Sequence, residues 1–70
     1  MSIFAFRKLV QRIREELEAL PEFRMNAREA ATFFGLDPAT SWRVLSELRL
    51  VGVVSRDAEC RYYLAEPLVS

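Results

Sequence analysis

The sequence predicts an α+β domain of three helices followed by a C-terminal β-hairpin, with room for a short strand between the first two helices. Three observations support this. Apolar residues recur at helical spacing in three successive segments. Each segment ends on a strong stop signal, at Pro21, Gly35 and Gly52. After Gly52 the apolar period drops to about two, the signature of strands.

The first segment, residues 3–20, places Ile3, Phe6, Leu9, Val10, Ile13, Leu17 and Leu20 on one face, with Phe4 pointing away from it. Its charges run against the helix macrodipole. Arg7, Lys8, Arg12 and Arg14 come first, and Glu15, Glu16 and Glu18 follow. They read either as a solvated surface with Arg12–Glu16 and Arg14–Glu18 pairs, or as a basic end that meets phosphate or an acidic partner. Residues Phe23, Arg24 and Met25 alternate apolar and polar, which suits a brief strand or an extended linker.

A second helix, residues 26–34, opens with Asn26 as N-cap and Glu29 three positions on, a capping-box pattern. Ala27, Ala30, Phe33 and Phe34 form its expected inner face, and Gly35 ends it. The third helix, residues 38–51, is announced by Asp37 as N-cap and Pro38 at the first helical position. Ser41, Val44, Leu45, Leu48 and Val51 share its inner face. Ala39, Arg43, Ser46 and Leu50 lie opposite, with Trp42 at the edge. A hairpin over residues 53–65 follows, with strands Val53–Arg56 and Cys60–Leu64 around a tight turn at Asp57, Ala58 and Glu59. Tyr62 and Leu64 should face the core, and Arg61 and Tyr63 the solvent.

Composition sets the class. Seventy residues make one domain, 1–70, and 51% of them are hydrophobic and 29% charged, a globular balance. A chain this short buries only about 60% of the surface its unfolded form exposes. No apolar run is long enough for a membrane span, and the order of charges at the start does not suit a signal peptide, so a cytoplasmic location is expected. Histidine is absent and Cys60 is the single cysteine. No nucleophile–base pair, phosphate-binding glycine loop or metal-ligand spacing is legible, so neither an enzyme nor a cofactor is expected. Cys60, beside Arg61, is either a redox-sensing thiolate or an inert thiol.

A helix pair joined by a short glycine-containing turn is the pattern by which helix-turn-helix proteins read DNA. Residues 26–48, NAREAATFFGLDPATSWRVLSEL, resemble the second and third helices of bacterial and archaeal winged-helix regulators. The segments GVVSR and RYYL resemble their wing strands. The resemblance covers residues 23–65. It implies a winged helix-turn-helix fold, binding of double-stranded DNA and a role in transcription regulation. It also places the usual base-contacting arginine at Arg43.

Major-groove geometry makes Ala39, Thr40, Trp42 and Arg43, with Ser46 further along, the candidate base-facing residues. Asn26 and Arg28 at the start of the second helix are candidates for phosphate. Arg56 and Arg61, flanking the wing turn, either are candidates for an adjacent groove or the backbone, or pair across the hairpin or with Asp57 and Glu59.

The sequence also departs from the resemblance. Net charge is zero, and the wing turn carries Asp57 and Glu59, although nine of the ten basic residues are arginine, the better fork for phosphate and guanine. Ser41 stands where such regulators have a buried aliphatic residue. Trp42 either folds back over the space Ser41 leaves or contacts DNA or a protein. Trp42 and Leu50 thus open a second expectation, a protein-interaction module. Phe4, Leu68 and Val69 exceed what so small a core can absorb, and suggest a homodimer.

Overall fold

The computed structural model describes residues 2–65. It contains α1 (Ile3–Glu18), β1 (Arg24–Met25), α2 (Ala27–Phe34), α3 (Pro38–Leu50), β2 (Val54–Arg56) and β3 (Tyr62–Leu64). The three strands form one antiparallel sheet in the order β1-β3-β2. Arg24 pairs with Tyr63 and Met25 with Tyr62, while Val54 pairs with Leu64 and Arg56 with Tyr62. The architecture is therefore α+β, three helices with a small three-stranded antiparallel sheet.

Local chemistry fixes the helix ends. Ser2 caps α1, its Oγ accepting from the Ala5 amide at 3.1 Å. The helix stops at Glu18, short of the expected Leu20. Leu20 precedes Pro21, and the proline ring disfavours helical backbone in the residue before it. At α2 the capping box closes as the sequence predicts. Asn26 Oδ1 accepts from the Glu29 amide at 2.7 Å, and Glu29 Oε1 accepts from the Asn26 amide at 3.0 Å. Gly35 then takes a left-handed φ of 69°, and the Leu36 amide closes back on the Ala31 carbonyl at 2.8 Å. The same device ends α3, where Gly52 has φ 82° and the Val53 amide reaches the Leu48 carbonyl at 2.9 Å.

The core gathers one stripe from each helix against the inner face of the sheet. Ile13 and Leu17 come from α1, Ala30 from α2, and Val44, Leu45 and Leu48 from α3. Phe23, Val54 and Tyr62 complete it. Ser41 is the one buried polar residue among those described, and its hydroxyl donates to the Ala27 carbonyl at 2.7 Å. The buried hydroxyl thus bonds α3 to the first turn of α2. Such a bond adds about 1 kcal/mol net.

Several expected core positions lie outside it. Phe33 is 58% exposed. Ala30 and Ala31 are both buried, so the small residues set the arc of α2 that faces inward and Phe33 sits about a third of a turn from its centre. Ala31 is the core residue the helical pattern did not single out. Val51 is exposed because it caps α3 and begins the turn into Gly52. Ile3 and Leu20 are exposed at the two ends of α1, beyond the reach of its neighbours. The Arg14–Glu18 pair forms at 3.4 Å, whereas Arg12 and Glu16 do not meet. Cys60 is not a strand residue. It lies in the turn with φ 63°, exposed, and β3 begins two residues later.

Candidate nucleic-acid interface

The α3 helix buries Ser41, Val44, Leu45 and Leu48, and its opposite side faces solvent. Ala39, Trp42, Arg43 and Leu50 are exposed there, with Ser46 half-buried at the margin. Trp42 is 55% exposed and Leu50 82%. Ser41 is buried and bonded to Ala27, and Trp42 remains more than half exposed on the surface.

Arg43 leans toward α1. Its guanidinium lies 5.0 Å from the centroid of the Phe6 ring, on the wall of a groove that also includes Ile3, Arg7, Val10 and Glu47. A cation over an aromatic face is attracted by the ring quadrupole. The contact limits the freedom of the side chain and leaves the guanidinium exposed.

The helix N-termini are already occupied. Asp37 caps α3, with Oδ2 accepting from the Thr40 amide at 3.0 Å and Oδ1 from the Thr40 hydroxyl at 2.6 Å. The hydroxyl bond, then the backbone bond, holds the Asp37 carboxyl below its ordinary value of 3.8. Thr40 therefore spends its donor on the cap and offers a partner only its acceptor lone pairs. Asn26 and Glu29 likewise use each other's amides. The start of α2 is thus a self-satisfied cap, and Arg28, exposed and outside any ion pair among the described residues, is its remaining cationic group.

Of the pairings open to the hairpin, Arg61 with Glu59 forms, while Asp57 turns to Arg24 instead. Asp57 Oδ2 accepts from Arg24 Nη1 at 2.7 Å, and Asp57 Oδ1 accepts from the Glu59 and Arg61 amides, each at 2.9 Å. The backbone bond from Arg61 is the largest cause holding the Asp57 carboxyl below its ordinary value of 3.8. The Arg24 guanidinium also lies 4.6 Å over the Tyr63 ring. Glu59 pairs with Arg61. Both turn acids are thereby matched by arginine, and Arg56, exposed at the end of β2, is left without an ion pair among the described residues.

Arg24 is the participant the sequence did not reveal. It belongs to a two-residue strand and meets a carboxylate thirty-three positions away. Only the β1–β3 register brings them together.

The structure thus gathers Ala39, Trp42, Arg43 and Ser46 on one helix. Arg28 lies on another element, Arg56 and Arg61 lie at the hairpin, and Asn26 and Thr40 are committed to caps. Phe4, from the expected dimer surface, is 75% exposed on α1. Leu68 and Val69 lie outside the described residues. Among the described residues no group of three acidic, cysteine or histidine side chains is placed to hold a metal ion, and no helix is long and apolar enough to cross a membrane. No protein-family model, curated protein or solved structure matches the chain.

Proposed function

We propose that this chain is a winged helix-turn-helix domain that binds double-stranded DNA, with α3 as the helix that enters the major groove and the β2–β3 hairpin as its wing. The observation that carries the reading is the open outer face of α3. A helix whose far side is fully packed and whose near side is solvent-facing is free to lie in a groove. Two features of the charge distribution add support. The hairpin acids are neutralised by Arg24 and Arg61, which removes most of the repulsion an acidic wing would feel from phosphate. Arg28, Arg43 and Arg56 keep their charge available.

In this reading Arg43 takes a guanine edge through its two-pronged fork, and Trp42 and Ala39 make apolar contact with the groove wall or thymine methyls. Ser46 bonds a base or a phosphate. Arg28 and Arg56 hold the backbone on either side. A regulator of transcription is the role such a domain would serve.

A second reading, a protein-interaction module, is favoured by one specific observation. Trp42 and Leu50 both stand exposed on α3, and an aromatic anchor beside an aliphatic one suits a protein partner.

Binding to a random-sequence duplex across a salt series separates the two. The DNA reading expects measurable affinity at low salt that falls as salt rises, since released counterions set the slope. Absence of binding at low salt removes the DNA reading and leaves the Trp42–Leu50 surface as the site, with Trp42→Ala as the variant that loses the partner while keeping its fold.

A further inference from the structure

The charge order of α1 has no explanation within one copy of the chain. Its first turn holds no acidic residue and its last turn no basic one, so the uncharged start leaves the macrodipole uncompensated and the acidic end opposes it. Arg14–Glu18 is the one ion pair within the helix among the described residues. The outer stripe, opposite Ile13 and Leu17, begins with Phe4, 75% exposed, and continues through exposed Lys8, Gln11, Glu15 and Ala19. It thus has a large apolar group at one end, a small one at the other, and opposite charges between.

We propose that α1 is an antiparallel self-association surface, on which two copies of this chain pair outer face to outer face about a two-fold axis between Gln11 and Arg12. In that register Phe4 of each copy packs on Ala19 of the other, and Lys8 of each meets Glu15 of the other. The pairing sets the basic half of one helix against the acidic half of its mate, and opposes the two macrodipoles head to tail. A two-fold contact must be self-complementary, and this stripe is. The neighbouring registers are not. Sliding by one turn in one direction puts Phe4 against Glu15, and in the other it leaves Phe4 beyond the end of the partner helix. The occupant is therefore a second copy, selected by charge complementarity and by the Phe4–Ala19 fit. Association requires no nucleic acid, so it stands or falls apart from DNA binding.

Sedimentation of the full chain without DNA tests it, using the charge reversals Lys8→Glu and Glu15→Lys. Both positions are exposed, and thermal melts of each variant confirm that it folds. The parent should show a concentration-dependent dimer that weakens in high salt. Each reversal turns two attractive pairs into two repulsive ones and should raise the dimer Kd roughly tenfold. Phe4→Ala should weaken it as well. An equimolar mixture of the two reversal variants should recover parent-like association, because a mixed dimer again has two attractive pairs. A parent that stays monomeric at millimolar concentration overturns the proposal and leaves the stripe to solvent or to another protein. Dimerisation unaffected by either reversal, or a mixture no tighter than its components, overturns it equally.

Discussion

Truncating Arg43 separates two energies that the structure keeps apart. In the free chain its guanidinium lies 5.0 Å over the Phe6 ring and is otherwise exposed. An exposed cation–π contact contributes about 0.5–1 kcal/mol, so Arg43→Ala should lower stability by no more than that. A domain of this length has about 3.5–10 kcal/mol to lose, so the variant remains folded, and any binding defect is not unfolding. On DNA, a bidentate arginine–guanine contact discriminates by about 1–3 kcal/mol. The Kd for a selected operator should therefore rise about 5- to 150-fold. Affinity for random duplex should change far less. Arg43→Lys keeps the charge and loses the fork, so it should lose operator affinity nearly as far while keeping the salt dependence. Fluorescence anisotropy on labelled operator and random duplexes, with urea denaturation alongside, measures all of these. Operator affinity within twofold of the parent would refute the base-reading role. An equal loss on both duplexes would reduce Arg43 to a phosphate contact.

Two further outcomes follow from the scaffold. Ser41→Ala removes the 2.7 Å bond to the Ala27 carbonyl and should cost about 1 kcal/mol in urea denaturation. Ser41→Val adds bulk to a fully packed site and should cost about 1–3 kcal/mol, so a stabilised valine variant would show that the site is not filled as described. Asp57 has its carboxyl lowered by the Arg61 and Glu59 amides and by Arg24, so its contribution is complete above the ordinary 3.8 and lost as pH falls through the lowered value. Asp57→Asn should accordingly lower Tm at neutral pH, and the gap from the parent should close in acid below 3.8. A gap that persists there would assign the effect to something other than the charge.

Helix existence and capping were legible because they depend on residues close in the chain. Asn26 with Glu29, Asp37 with Pro38, and the two glycines act within a few positions of one another. The errors arose where a third element decides. Phe33 belongs to the apolar pattern of α2 as well as Phe34 does, and only the close approach allowed by Ala30 and Ala31 turns it outward. The partner of Asp57 is hidden because Arg24 is distant in sequence, and strand register alone joins the two. The same limit applied to the candidate site. The outward set on α3 follows from helical periodicity. The commitment of Asn26 and Thr40 to caps, and of Arg43 to Phe6, depends on hydrogen bonds and packing that periodicity does not encode.

Zero net charge weighs against DNA binding only if charge is averaged over the chain. Here most of the acids are placed elsewhere or already matched, and Glu47, exposed on α3 in the groove of Arg43, is the acid left on the proposed interface among the described residues. Glu15, Glu16 and Glu18 lie at the far end of α1, Asp37 and Glu29 serve caps, and Asp57 and Glu59 are paired with arginine. Arg28, Arg43 and Arg56 remain as the candidate cations of the proposed interface. With Arg43 on a guanine edge, Arg28 and Arg56 are the phosphate contacts, so one copy displaces counterions from about two phosphates, and log K against log salt should have a slope of about −1.8. Two copies on adjacent half-sites should give about twice that, and Arg28→Ala or Arg56→Ala should each make the slope shallower by about 0.9 per copy. Isothermal titration across a salt series reads the slope directly. A parent slope near zero would mean that these arginines do not meet phosphate, whatever the affinity, and would turn the α3 surface over to a protein partner. A slope much steeper than two copies explain would instead recruit the basic half of α1, beginning with Arg7, which shares the groove of Arg43.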